Sequence, residues 1–133
     1  MTLKEFIGDV KERICILEKV QYEKQDVYET EQQVMMMQRD EKVYALTSQK
    51  PEKECQLYTK GLKLNNDNML LVFGIANRTL LKYLVEQSSE HSKLIVFESD
   101  MKVLKYCLEH YDYTFLAKGA KCILILSYLI QKQ

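Results

Sequence analysis

Apolar residues recur at helical spacing from the start of the chain. Leu3, Phe6, Ile7, Val10, Ile14 and Leu17 fall on one stripe between Thr2 and about Gln21, with Thr2 placed to cap the first turn. This predicts an amphipathic helix, and a stripe of barely two heptads favours docking on its own domain over a coiled coil. The pattern then shortens. Asp26 to Ser48 is rich in Val, Tyr, Thr and Met, with strand-like runs at Val27–Thr30, Val34–Gln38 and Val43–Thr47, the last two split by Arg39-Asp40-Glu41-Lys42. A small antiparallel meander is expected. Consecutive strand residues point to opposite faces, so the sulfurs of Met35-Met36-Met37 do not converge on a metal and read as packing. Pro51, the only proline, opens a further helical run with Glu52 and Glu54 in its first turn, Leu57 and Tyr58 on the helical period and Gly61 as its stop.

From Asn65 the pattern alternates between short continuous apolar runs and amphipathic helices. Met69-Leu70-Leu71-Val72-Phe73 runs into Gly74, and a helix over Thr79–Gln87 turns Leu80, Leu81, Leu84 and Val85 inward. Leu94-Ile95-Val96-Phe97 follows. A helix from about Met101 to His110 then turns Val103, Leu104, Cys107 and Leu108 inward, and Cys122-Ile123-Leu124-Ile125-Leu126 closes the series. Such strands between helices predict a parallel sheet covered on both faces. With right-handed crossovers this is β-α-β-α-β, a three-stranded parallel, Rossmann-like half. The fold class expected is therefore α/β: residues 1–64 supply helix, meander and connecting helix, and residues 65–133 supply the Rossmann-like half-domain, together one structural unit.

Composition narrows the partners. The chain has 133 residues, 47% hydrophobic and 29% charged, which suits one small globular domain. Nineteen basic and nineteen acidic residues cancel and the basic ones are dispersed, so the footprint of a nucleic-acid or anionic-membrane binder is missing. No segment has the length of a signal peptide's apolar core or of a membrane span, and the expected location is the cytosol. Cys15, Cys55, Cys107 and Cys122 are widely spaced, with no C-x-x-C and no paired histidine, which suits reduced core thiols and predicts no metal.

In a Rossmann-like half, the loop after the first strand approaches a phosphate or the carboxypropyl arm of S-adenosylmethionine, and an acid ending the second strand takes ribose hydroxyls. Here the loop is Gly74-Ile75-Ala76-Asn77-Arg78, and Glu98 stands 24 positions after Gly74, near the roughly 20 of dinucleotide-binding folds. Gly74, Asn77, Arg78 and Glu98 are thus the candidate cofactor-binding residues. Of a G-x-G-x-G arrangement only the first glycine is present, because Ala76 and Arg78 fill the other positions. Structural roles compete at each point: Gly74 as the turn, Asn77 as the cap of the next helix, Glu98 or Asp100 as the cap of the helix after that, and Arg78 as a solvated arginine. His91 sits in a polar loop and His110 ends a helix, neither within a triad-like motif. Tyr111-Asp112-Tyr113 sets an acid between aromatics in what reads as a helix-ending turn. No catalytic residue is assigned.

Four patches of the chain resemble one family. They are Leu46-Thr47-Ser48-Gln49-Lys50-Pro51-Glu52-Lys53-Glu54-Cys55, the run Leu70 to Leu84 through Phe73-Gly74-Ile75-Ala76-Asn77-Arg78, Leu94-Ile95-Val96-Phe97-Glu98-Ser99-Asp100, and Tyr111-Asp112-Tyr113-Thr114. In order and spacing these are similar to the N-terminal region of the motility accessory factors, bacterial flagellin glycosyltransferases. That region reads as a hydroxyl-x-x-D-P-x-x-E-A segment, a strand into F-G-x-G-x-G, a strand ending in E-P-D, and an I-D-F-T-like turn. The resemblance implies a multi-domain enzyme that moves a nonulosonic acid from its CMP-activated form to serine or threonine of flagellin, with its catalytic centre in a central domain shared with hydroxymethylpterin diphosphokinase-like proteins. This chain would cover only the N-terminal portion. It departs from the pattern at Lys50, Cys55, Ala76, Arg78 and Ser99.

A Rossmann-like sheet normally continues on the far side of its first strand, so a half-sheet leaves that strand as an apolar edge. The rest of a longer protein, a second copy of the chain, or a C-terminal piece folding back would each cover it, and a truncated product that dimerises is the expectation. The function expected is a non-catalytic accessory or recognition domain of a motility-accessory-factor-type glycosyltransferase. It requires no cofactor, and its partners are the remainder of the enzyme or a second copy, and flagellin. The alternative is a reduced S-adenosylmethionine- or nucleotide-binding, methyltransferase-like protein. A third reading is an interaction protein that recruits a partner strand to its exposed edge.

Overall fold

The computed structural model describes residues 17–116 and the strand Cys122–Ile125. The helix expected over Thr2–Gln21 lies outside the described residues except for residues 17–21, of which 17–19 are helical and Val20 and Gln21 are not. The α/β mixture read from the sequence is present, with strands β1 (Val27–Glu29), β2 (Met35–Arg39), β3 (Lys42–Ala45), β4 (Met69–Phe73), β5 (Lys93–Phe97) and β6 (Cys122–Ile125), and helices α1 (Pro51–Thr59), α2 (Arg78–Gln87) and α3 (Met101–His110).

The meander is antiparallel in the order β1-β2-β3. Its β2–β3 turn is Asp40-Glu41, both with positive φ (52° and 65°), the backbone twist that closes a two-residue hairpin. Met35 points inward and is buried, and its sulfur meets the Cys107 thiol at 3.7 Å, so the methionine run packs and does not gather. Pro51 opens α1 with Glu52 and Glu54 behind it, and Gly61, at φ +82°, turns the chain away from the helix end.

The second sheet has the order β4-β5-β6, with β5 parallel to both neighbours. Asn77 caps α2 by accepting the Leu80 N–H at 3.1 Å, and Asp100 caps α3 by accepting the N–H groups of Lys102 and Val103. Leu81, Leu84 and Val85 of α2 and Val103, Leu104 and Cys107 of α3 pack on Leu94 and Val96 to form the main core. Leu108, expected to point inward, is 42% exposed at the edge of the α3 stripe.

The sheet is not covered on both faces by the described residues, and here the structure corrects the sequence reading. Leu70, Val72, Leu94 and Val96 face the helices, whereas Met69, Leu71 and Phe73 on the other face are 70%, 54% and 79% exposed. The reason is topological. A sheet that grows in one direction from β4 to β6 carries both right-handed crossover helices to the same side. A continuous apolar run signals that both faces avoid water, without saying that this chain covers both.

Candidate functional site

The site is built where β4 and β5 end. Gly74 continues β4 far enough to donate its N–H to the Phe97 carbonyl at 2.6 Å, then turns with φ +104°. An added Cβ would meet nothing within 4 Å, so the glycine is required by its backbone conformation and not by crowding. Ile75 follows, fully buried, and is clamped from two sides: Glu98 Oε1 accepts its N–H at 3.1 Å, and the Tyr113 hydroxyl donates to its carbonyl at 2.9 Å.

Glu98 is itself buried, and its second oxygen accepts the Asp100 N–H at 3.0 Å. Burial pushes its carboxyl above the usual glutamate range, against the backbone donors of Asp100 and Ile75, which favour the charged form. Both oxygens therefore brace the loop that follows each strand. Behind them, burial drives the Tyr113 hydroxyl strongly upward and the Cys107 thiol up to about 11, so neither ionises near neutral pH. Of the four cysteines expected to be reduced core thiols, Cys55 and Cys107 are free and buried, while Cys15 and the side chain of Cys122 lie outside the described residues.

A cavity of about 860 Å³ opens above this loop, lined by Gly74, Asn77, Glu98, Ser99 and Asp100, with Met37 and Arg39 of the meander as its far wall. It continues down the outer edge of β4 between Leu71 and Phe73, Tyr58 within α1 and Leu62 after it, and Leu80 and Leu84 of α2. Three of the four candidate binding residues, Gly74, Asn77 and Glu98, thus share one cavity. Arg78 does not join them. Its guanidinium lies 4.4 Å from the centroid of the Tyr111 ring, and it lines a separate cavity of about 160 Å³ with Glu29, Thr47 and Ser48. The cation is held by an aromatic face on the other side of the loop.

Sequence reasoning missed the clamp. In sequence Tyr113 reads only as part of a helix-ending turn, and its bond to Ile75 joins residues 38 apart that no periodicity connects. In sequence Arg39 reads as part of a polar turn, yet it stands in the main cavity wall, where its side chain makes no hydrogen bond or ion pair among the described residues. His91 is solvent-exposed beside Glu90, and His110 stacks on Tyr106 at 4.1 Å. Among the described residues no group of three His, Cys, Asp or Glu side chains is placed to hold a metal ion, and no helix is long and apolar enough to cross a membrane. No family model, no curated protein and no solved structure matches the chain.

Proposed function

We propose that this chain is a non-catalytic accessory and recognition domain of the motility-accessory-factor type, with residues 65–133 forming a Rossmann-like half and the protein working in the cytosol. The four-patch similarity to that family supports the affiliation. The observation that carries the non-catalytic reading is the engagement of Glu98. The acid that would take ribose hydroxyls in a dinucleotide fold spends both oxygens on the backbone of Ile75 and Asp100. Arg78, the cation that would meet a phosphate, stacks on Tyr111 instead. In the glycosyltransferase this reading implies, sugar transfer from the CMP-activated nonulosonic acid to flagellin belongs to another domain. The partners of this one are the remainder of the enzyme or a second copy, met through the β4 edge, and flagellin.

Calorimetric titration with S-adenosylmethionine, ATP and CMP tests it. The expected result is no saturable heat up to millimolar ligand. Micromolar binding of any one of them, abolished in Glu98→Ala but not in Arg39→Ala, would overturn it. The second reading, a reduced S-adenosylmethionine- or nucleotide-binding protein, draws on one observation: the 860 Å³ cavity is of ligand-site size and its floor is the open Cβ side of Gly74. The same titration decides between the two.

A further inference from the structure

The two carboxylate oxygens of Glu98 serve two loops that lie in different surroundings. Oε1 accepts the N–H of Ile75, a residue with no exposed surface, in the loop after β4. Oε2 accepts the N–H of Asp100 in the loop after β5, where Ser99 is exposed and Asp100 half-buried, and the Ser99 N–H adds a weaker pull from that same loop. Glu98 itself is 7% exposed. An ionised carboxyl is an acceptor only and can hold both loops at once. A neutral carboxylic acid cannot, because one oxygen becomes a hydroxyl and the N–H that faced it loses its charged acceptor. Protonation therefore releases one of the two loops.

The surroundings decide which. Releasing Ile75 would strand a fully buried donor, whereas the Asp100 N–H beside the exposed Ser99 can exchange the carboxylate for water. Ile75 has a second hold as well, since its carbonyl accepts from the buried Tyr113 hydroxyl. Asp100 stays at the head of α3 through its own Oδ1, which accepts from Lys102 and Val103. What is set free is thus the backbone of Ser99 and Asp100, which stands in the wall of the 860 Å³ cavity, while α3 keeps its cap.

Among the described residues, the charges around Glu98 come from several elements. Asp100 opposes a second negative charge beside it. Across the cavity stand Glu54 of α1 and Arg39 of β2, of opposite sign. On the inner side Cys107 of α3 and Tyr113 stay neutral, Arg78 lies on Tyr111 beyond the loop, and Lys102 is paired with Asp26. Burial, the largest influence, acts in the same direction as Asp100 and lifts the Glu98 carboxyl above the usual glutamate range, whereas Asp26 and Asp112 are held below the usual aspartate range. On acidification Glu98 takes its proton before those two aspartates.

We propose that Glu98 is an acid-operated latch: ionised, it ties the loops after β4 and β5 together, and protonated on Oε2 it keeps Ile75 and lets the Ser99–Asp100 wall of the cavity go. One proton is taken up from solvent for each release. The latch is independent of the recognition role proposed above, and its failure would leave that role standing.

NMR of the full chain over falling pH tests it, with the Glu98 carboxyl carbon followed beside the backbone amides of Ile75, Ser99 and Asp100. The carboxyl carbon and the Asp100 amide should titrate with one midpoint. Across it, the protection of the Asp100 amide, corrected for the intrinsic pH dependence of exchange, should fall about ten-fold while that of Ile75 holds. Glu98→Gln keeps one acceptor and offers N–H donors in place of the other, so its Asp100 amide should be released already at neutral pH and should not move with acid. Asp100→Asn keeps a capping oxygen and removes the neighbouring charge, so the amide of residue 100 should still follow Glu98, at a lower midpoint. If that amide stops titrating in Asp100→Asn, the change belongs to the Asp100 side chain and the proposal is overturned. A larger loss of protection at Ile75 than at Asp100 would also overturn it, as would an Asp100 amide that stays fixed while the Glu98 carboxyl titrates, or global unfolding before that carboxyl titrates.

Discussion

The two faces of the parallel sheet are built from the same kind of side chain and meet opposite surroundings. On the helix side Leu94 and Val96 are sealed, Val96 completely, under Leu81 and Leu104, which are themselves fully buried. On the other side Phe73, its ring stacked on the half-buried Phe97 at 5.1 Å between centroids, stands with Met69 and Leu71 in the open. Isolated exposed apolar residues are ordinary, whereas this row is contiguous on one sheet face among the described residues. The difference teaches that the core of this domain is built on one face of β4, and the recognition proposed for it is assigned to the other face and the edge.

The largest test of that division is a paired truncation. Leu81→Ala or Leu104→Ala should lower the unfolding free energy by about 2–5 kcal/mol in urea titration, since each empties a fully buried site. Leu71→Thr on the open face should stay within about 0.5 kcal/mol of the parent. Comparable losses from both would mean that the open face is covered after all.

The loop comes next in size. Glu98→Ala leaves the N–H groups of Ile75 and Asp100 without their acceptor and should cost about 1–3 kcal/mol. Glu98→Gln keeps one acceptor and should cost less. Burial holds the Glu98 carboxyl above its unfolded value, so the stabilisation tied to its protonation is present in acid and lost as the pH rises through the folded value. The stability of the parent measured against Glu98→Gln should accordingly fall with rising pH through that range, and a flat difference would show that Glu98 is not desolvated.

Tyr113→Phe removes one hydrogen bond to Ile75 and should cost about 1 kcal/mol by thermal or urea unfolding. Arg78→Ala should be the smallest, about 0.5–1 kcal/mol from the lost contact with Tyr111, with no change in ligand behaviour of the larger cavity. A larger effect of Arg78→Ala on any ligand than on stability would move Arg78 back into a binding site.

Element positions were largely legible in the sequence because each carries local physics. Pro51 fixes the start of α1, and Asn77 and Asp100 supply capping oxygens for α2 and α3. The apolar run Met69–Phe73 ends at the one residue able to hold φ +104°. What was not legible is what depends on contacts distant in sequence. Nothing local tells that Tyr113 reaches Ile75, that Glu98 turns both oxygens onto backbone, or that the meander sets Arg39 in the wall of the cavity beside β4. The face of a strand is legible only by alternation, and β4 does not alternate in hydrophobicity, so its naked side gave no signal. Arg78 shows the converse limit: its sequence position matched a phosphate-binding loop, while the side chain took the nearest aromatic face.

Amide hydrogen exchange along β4 tests the central claim most directly, because one strand contains both surroundings. In the free chain the N–H groups of Leu70 and Val72, turned toward β5, should be protected up to the stability of the whole domain, while those of Leu71 and Phe73 exchange orders of magnitude faster. Equal protection of all four would contradict the account, since the edge would then already be paired.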